Sequence, residues 1–170
     1  EVGRSQGGNN NTWCQDSPLA WMVWNEDHCD LELKLFLKRL LKLRQALPQL
    51  FNPLIPARET TKKHPQDHTD LWRQWHGVDL SKPDWAAWSR SVATSLHMGS
   101  HGALIWMGFN AHKETLDFEL PIPASPWTRV IDTSLPAPQD FPDQPVPFRG
   151  VTIPMQSRSF VLLVAEDEDS

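Results

Sequence analysis

The spacing of apolar residues between positions 30 and 47 predicts one amphipathic helix. In the stretch DLELKLFLKRLLKLRQAL, leucines recur every three or four residues and lysines fall between them. The apolar face comprises Leu33, Phe36, Leu37, Leu40, Leu43 and Leu47, and the polar face comprises Lys34, Lys38, Lys42 and Gln45. Asp30 is the expected N-cap, and Pro48 is expected to end the helix at Leu47. The apolar stripe is wide, since it also includes Leu31, Leu35 and Leu41. We therefore expect this helix to pack on a sheet or barrel.

After residue 71 the pattern changes to short strands separated by turn residues. In TLDFELP, the apolar Leu116, Phe118 and Leu120 alternate strictly with acidic residues, which predicts a half-buried strand. Similar segments lie near 71–76, 90–98, 102–110, 127–132, 149–154 and 158–164. The proline-rich stretch SLPAPQDFPDQPVPF is predicted to be one long connection. About seven short strands with no intervening helix predict a mainly β fold, an antiparallel Greek-key β-sandwich.

The remaining segments are polar and rich in turn residues. Residues 1–25 carry Gly3, two further glycines and three consecutive asparagines, so we interpret them as a loop. A single helix and a loop cannot form a fold by themselves. The predicted organisation is therefore a first region at 1–56, a polar connection at 57–70, a sandwich at 71–165 and an acidic tail at 166–170. The chain opens on Glu1 rather than methionine, so we expect the natural protein to start further upstream.

Charge and hydropathy exclude two classes of partner. The net charge is −5, and four of the negative charges lie in the tail EDED, so the rest of the chain is almost neutral. Nucleic-acid binding relies on clustered lysine and arginine, and the only such cluster lies on the predicted helix. No run of about 20 apolar residues could cross a membrane. We expect neither a nucleic-acid nor a membrane partner.

The sequence offers no motif for a metal or a cofactor. Cys14 and Cys29 are too few for a disulfide framework and match no metal-ligand spacing, so we expect free thiols. His64 and His68 are four residues apart, but Pro65 between them opposes a helix. The nine tryptophans, with no tyrosine, are notable, because an indole can fill a core, anchor an interface or stack on a sugar ring.

Four blocks of sequence resemble a known family. They are GRSQGGNNNTWCQD at 3–16, WHGVDLSKPDW at 75–85, WTRVIDTS at 127–134 and SRSFVLLVA at 157–165. In this order they resemble the C-terminal end of isoamylase-type and bacterial glycogen debranching enzymes of glycoside hydrolase family 13. The likeness covers nearly the whole chain. One departure is Trp13, which stands where the family commonly has tyrosine and so keeps an aromatic face without the hydroxyl.

The resemblance implies that the chain is a C-terminal fragment of an α-1,6-glucan debranching enzyme. In that family a (β/α)8 barrel of about 250 residues precedes a β-sandwich. Residues 1–56 would be the last βα loop and last helix of the barrel, and the catalytic carboxylates would lie upstream of Glu1. The fragment itself would then be non-catalytic and structural, with no cofactor and no metal. The intact enzyme would act on branched α-glucan in the cytoplasm, or in a plastid if the source is a plant or alga.

The resemblance also implies which residues border the substrate. The last βα loop of a barrel faces the active-site cleft, and amide side chains there can hydrogen bond to sugar hydroxyls. The expected substrate-binding residues are Arg4, Asn9, Asn10, Asn11, Trp13 and Asp16. The alternative is that the asparagines and glycines only form turns. Trp75 and Trp85 present a similar choice between packing the barrel-to-sandwich junction and stacking on glucan.

A second function remains open. The chain could instead be an independent, non-catalytic β-sandwich module that binds glucan or another protein. Appreciable heat in a calorimetric titration of this chain alone with maltoheptaose would favour this alternative.

Overall fold

The structure is a computed structural model that describes residues 3–23, 30–47, 71–98, 103–123 and 125–166. The chain divides into two compact units, one within residues 1–51 and the other within residues 52–170. The predicted polar connection at 57–70, Cys29 and most of the acidic tail lie outside the described residues.

The predicted helix is present as α1, which spans Leu31–Ala46. Asp30 is its N-cap, and its Oδ1 accepts a hydrogen bond of 2.9 Å from the backbone N–H of Leu33. Leu47 is the C-cap, and its backbone N–H donates to the carbonyl of Leu43 at 2.9 Å. The acidic residue in the first turn and the basic residue in the last turn both complement the helix dipole. The sequence therefore predicted this element and its capping residue correctly.

The apolar stripe of α1 is only partly covered. Phe36, Leu37, Leu40, Leu43 and Leu47 are half-buried, as the predicted apolar face requires. The remaining leucines are 38% to 57% exposed, namely Leu31, Leu33, Leu35 and Leu41. Leu33 belongs to the predicted face but lies in the first turn of the helix. No residue of α1 is fully buried.

The second unit consists of antiparallel strands. They are β1 (Leu71–His76), β2 (Ser91–Met98), β3 (Leu104–Asn110), β4 (Leu116–Glu119), β5 (Trp127–Asp132), β6 (Val146–Phe148), β7 (Thr152–Met155) and β8 (Ser159–Ala165). A large sheet has the order β1-β2-β3-β8-β5-β6, and a small sheet pairs β4 with β7. The chain crosses to the small sheet after β3 and again after β6, and then returns as β8 between β3 and β5. The mainly antiparallel β fold predicted from the sequence is confirmed, and this long-range return is the feature expected of Greek-key connections.

Strand β6 was not predicted, because it lies at the end of the proline-rich stretch. Pro147 pairs with Thr128 of β5, and β6 forms the edge of the large sheet. Proline lacks a backbone N–H and is tolerated in a strand where no further neighbour needs that donor. The predicted long connection is therefore wrong in its last three residues, which form an edge strand although their composition is typical of a loop.

The inner face of the large sheet packs against the small sheet. Trp106 of β3 meets Phe118 of β4 edge-on, with ring centroids 5.9 Å apart at an angle of 75°. Strand β8 adds Val161 and Leu163 to this core. The other buried residues of the cluster are Ala93, Leu120, Trp127, Ile153, Met155 and Ala165. The main core of this unit thus lies between the two sheets.

The outer face of the large sheet is also apolar. The strand register aligns Leu96, Ile105 and Val164 in one row and Met107, Leu162 and Ile131 in the next. All except Met107 are 6% exposed or less. Because apolar residues occupy both faces, the central strands have the pattern of a sheet that is covered on both sides rather than of one with a solvent-exposed face.

Asn110 joins two turns at one end of the sandwich. It ends β3, is 1% exposed, and its Nδ2 donates to the carbonyls of Glu114, Met155 and Gln156 at 2.9, 3.0 and 3.0 Å. Its Oδ1 accepts from the backbone N–H of His112 at 2.9 Å. One side chain therefore ties the β3–β4 turn to the segment that follows β7.

Gly108 is the position of closest approach in the core. A Cβ atom there would overlap Cη2 of Trp106 and Sδ of Met155. We expect Gly108→Ala to lower the free energy of unfolding by about 1–3 kcal/mol, since overpacking forces the core to shift. Urea denaturation measures this loss. In a Trp106→Phe background Cη2 is absent and Sδ of Met155 remains, so the same substitution should cost less. An equal cost in both backgrounds would contradict the overlap with the Trp106 ring.

Candidate functional site

Residues 3–23, here called the opening loop, follow a path set by local turns. The backbone N–H of Asn9 donates to the carbonyl of Gln6 at 3.0 Å, and that of Gln15 donates to the carbonyl of Thr12 at 3.0 Å. Gly7 and Gly8 have φ angles of 58° and 87°, in the left-handed region that glycine adopts without strain. The glycines of the GGNNN stretch are thus required by the backbone geometry.

Two of the asparagines shape the loop. The backbone N–H of Asn11 donates to Oδ1 of Asn9 at 3.0 Å, and that of Trp13 donates to Oδ1 of Asn11 at 3.2 Å. These are successive Asx turns, in which a side chain replaces a backbone acceptor. Nδ2 of Asn9 also donates to Oε1 of Gln15 at 2.9 Å. Asn9 and Asn11 therefore form turns, as the alternative interpretation of the asparagines expects.

An open groove of about 480 Å³ lies on the opening loop. Its lining residues are Arg4, Ser5, Gln6, Gly8, Asn9 and Asn10. The guanidinium of Arg4 donates to the carbonyl of Ala20, which fixes its position across the loop. A guanidinium has five N–H donors, so Arg4 can bind a further acceptor. With the amide of Asn10, the groove presents donors and acceptors suited to hydroxyl groups.

The structure brings together only part of the predicted site. Arg4, Asn9 and Asn10 line the groove, whereas Asn11, Trp13 and Asp16 are not among its lining residues. Trp13 is 84% exposed and presents its indole to solvent. The carboxylate of Asp16 accepts a hydrogen bond of 2.6 Å from Nε1 of Trp21. Asp16 therefore positions an aromatic side chain, a role that its sequence position did not indicate.

Four residues of this region were not predicted. Ser5, Gln6 and Gly8 line the groove, and Trp21 is held by Asp16. The first three lie inside the quoted block GRSQGGNNNTWCQD, so a reading of the whole block would have included them. Trp21 lies outside the block and had no signal beyond its residue type.

His76 belongs to the interior of the second unit. Its Nδ1 accepts from the backbone N–H of Ser81 at 2.9 Å, which makes Nε2 the donor to Oγ of Ser95, also at 2.9 Å. Burial disfavours the charged ring and lowers its pKa from 6.5 to about 4. His76 is therefore a neutral structural residue that fixes the turn after β1 with partners from its own unit.

The described part of the chain contains no group of three or more His, Cys, Asp or Glu residues that could hold a metal ion. Within the same residues, α1 is too short and too polar to cross a bilayer. Cys14 is exposed and carries a free thiol.

Comparison with known proteins relates the chain to starch and glycogen enzymes. The family of isoamylase 1-3 C-terminal domains matches residues 74–159. The chain is 29% identical over 182 residues to the chloroplastic isoamylase 1 of Oryza sativa subsp. japonica, covering 99% of this chain and 21% of that protein. It is 30% identical over 178 residues to the chloroplastic isoamylase SU1 of Zea mays, covering 96% and 21%. With the glycogen debranching enzyme of Pectobacterium atrosepticum it shares 33% identity over 112 residues, covering 59% and 16%. The chain thus spans about a fifth of the length of the curated relatives it matches.

Proposed function

The chain belongs to the family of isoamylase 1-3 C-terminal domains, and from this premise we propose that it is the non-catalytic C-terminal part of an α-1,6-glucan debranching enzyme. The observation that carries the proposal is the alignment of 99% of the chain with an isoamylase. The intact enzyme would hydrolyse branch points of glycogen or amylopectin, in the cytoplasm or in a plastid. The three catalytic carboxylates of such an enzyme would lie outside these 170 residues.

We assign the sandwich a structural role in that enzyme. Both faces of its large sheet carry apolar rows that are already buried within this chain. The sandwich therefore has a core of its own, and in the intact enzyme it would stabilise the catalytic barrel by covering apolar barrel surface. The proposed organisation keeps residues 1–56 as the last loop and helix of the barrel, 57–70 as a connection and 71–165 as the sandwich.

We assign the opening loop to the wall of the substrate groove. Arg4 and Asn10 supply donors and acceptors for sugar hydroxyls, and Asn9 joins them in the same groove. Asn11 holds the backbone at Trp13, and Asp16 holds Trp21. Trp13 would stack on a glucose ring through an indole face that the described residues leave open. The contacts of all six residues with glucan are part of this proposal.

Release of reducing ends from amylopectin tests the parent activity. The 170-residue chain alone should release none, whereas the complete product of its reading frame should release linear maltodextrins. Hydrolysis by the 170-residue chain would overturn the non-catalytic assignment. Absence of branch-point hydrolysis by the complete product would overturn the assignment of the parent enzyme.

Trp13→Ala tests the opening loop in the complete product. We expect kcat/KM on amylopectin to fall about tenfold, the equivalent of 1.4 kcal/mol of lost stacking. Because Trp13 is 84% exposed, thermal stability should not change. Trp13→Tyr keeps an aromatic face and should retain most of the activity. Equal activity of Trp13→Ala and the unchanged enzyme would remove Trp13 from the proposed site.

A further inference from the structure

The turn that links β1 to β2 carries two exposed tryptophans. Residues 82–90, KPDWAAWSR, here called the tryptophan turn, include Trp85 at 67% exposure and Trp88 at 80%. Indole rings are usually buried, since each offers a large apolar area to the core or to an interface. Two exposed indole rings three residues apart therefore indicate a binding surface.

Hydrogen bonds order the tryptophan turn. The backbone N–H of Ala86 donates to Oδ1 of Asp84 at 3.0 Å, and that of Ser89 donates to the carbonyl of Ala86 at 2.9 Å. Ala86 and Ala87 separate the two tryptophans, and their methyl groups are too small to screen an indole face. The turn therefore presents two open rings from a defined backbone.

The ring of Trp85 packs against a neighbouring tryptophan. It contacts Trp75 of β1 in a T-shaped arrangement, with ring centroids 5.6 Å apart at an angle of 77°. The guanidinium of Arg73 lies 5.6 Å from the centroid of Trp75 and completes the stack. A T-shaped contact occupies at most one face of Trp85, so another face remains available. This support fixes the ring at little further entropic cost when a ligand binds.

The geometry points to a second α-glucan contact on the sandwich, formed by Trp85 and Trp88 and sharing no residue with the opening loop. The ligand would be a linear α-1,4-linked segment of a branched glucan, and this choice of ligand class rests on the proposed function. One face of a glucose ring consists of C–H groups of partial positive charge, which complement the negative face of an indole. Consecutive glucose units in one chain can then cover both rings.

The composition of the surrounding surface favours a sugar over a protein partner. Stable protein interfaces bury about 800 Å² on each side around a continuous apolar centre. Here the two indoles are flanked by exposed charged residues, namely Lys82, Asp84 and Arg90. Alternating aromatic faces and polar groups match the apolar face and the hydroxyl rim of a sugar chain.

Affinity electrophoresis of the 170-residue chain in gels containing glycogen tests the inference. The unchanged chain should be retarded, and Trp88→Ala should raise the apparent Kd for glycogen at least about fivefold. Trp88→Phe keeps a ring and should lose less. Ile122→Ala is the matched control, since Ile122 is 89% exposed in the same unit, and it should bind as the unchanged chain does. Near-UV circular dichroism checks that each variant is folded.

The outcomes separate this inference from the proposed function. No retardation of the unchanged chain, or equal retardation of Trp88→Ala, would overturn the second contact, whereas the release of reducing ends by the complete product would be unaffected. If Trp13→Ala abolishes retardation and Trp88→Ala does not, the opening loop is the glucan contact and the inference is wrong. If it is right, Trp88→Ala in the complete product should lower kcat/KM on amylopectin and leave it unchanged on a short branched oligosaccharide.

Discussion

Replacing Asn110 with alanine should lower the free energy of unfolding of the sandwich by about 2–4 kcal/mol. The substitution removes a donor from three backbone carbonyls, those of Glu114, Met155 and Gln156, and it removes the acceptor for His112 N–H. The Gln156 carbonyl keeps one donor, Oγ of Ser159 at 2.7 Å. Buried polar groups without a partner each cost stability because water cannot reach them. Urea denaturation at pH 7 measures the loss.

Asn110→Asp distinguishes the lost hydrogen bonds from a simple cavity. At pH 7 its carboxylate would place negative charge against carbonyl oxygens, so this variant should be less stable than Asn110→Ala although it preserves the side-chain shape. The pKa of the new carboxyl should be raised in the folded state, so the folded state binds more protons and stability increases as pH falls. The difference from Asn110→Ala should therefore narrow between pH 7 and pH 4. Equal stability of the two variants at every pH would contradict the role of Asn110 as a donor.

The second large effect is acid destabilisation through His76. Burial lowers its pKa to about 4, against 6.5 for the unfolded chain. Between these values the unfolded state binds a proton that the folded state does not. The contribution of His76 is therefore fully present above pH 6.5 and is lost as pH falls towards 4, by about 3 kcal/mol in total.

His76→Asn provides the control for this pH dependence. Its amide oxygen can still accept from the N–H of Ser81, but the side chain does not titrate, and Ser95 loses its partner. At pH 7.5 we expect the variant to be about 1–2 kcal/mol less stable than the unchanged chain. The unchanged chain loses more than this difference as pH falls, so the two curves should cross between about pH 6 and pH 5, and at pH 4.5 the variant should be the more stable of the two. Parallel stability curves from pH 7.5 to 4.5 would show that His76 does not cause the loss.

The sequence predicted elements whose pattern is local. Alternation at Leu116, Phe118 and Leu120 placed β4, and the leucine spacing with the Asp30 cap placed α1 at nearly its observed bounds. Both signals depend on side chains within one element meeting the same environment. The antiparallel class followed from the number of short strands without helices between them.

The features that the sequence could not predict depend on distant partners. Whether Pro147 is tolerated in a strand depends on its place at a sheet edge, which the strand order decides. Asn110 reads as a turn residue, and its role appears only when the carbonyls of Met155 and Gln156 lie beside it. Exposure of Leu31 and Leu41 likewise depends on what covers the helix, which periodicity does not state.

In the candidate site, too, the sequence indicated the region but not the contacts of each residue. The block GRSQGGNNNTWCQD marked the opening loop as a candidate site through its resemblance to the family. It could not tell which amides point into the groove and which bond the backbone. Asn10 and Asn11 are adjacent in sequence, yet the first lines the groove and the second closes an Asx turn.

The central place of β8 has a consequence for synthesis on the ribosome. β8 lies between β3 and β5, so before residues 159–165 are made, the earlier strands form two separate ribbons, β1-β2-β3 and β5-β6. Without the last strand the two ribbons are not hydrogen bonded into one sheet, and the core between the two sheets lacks Val161 and Leu163. The sandwich should therefore become protease-resistant only after β8 leaves the exit tunnel, and a product that ends before position 159 should be degraded.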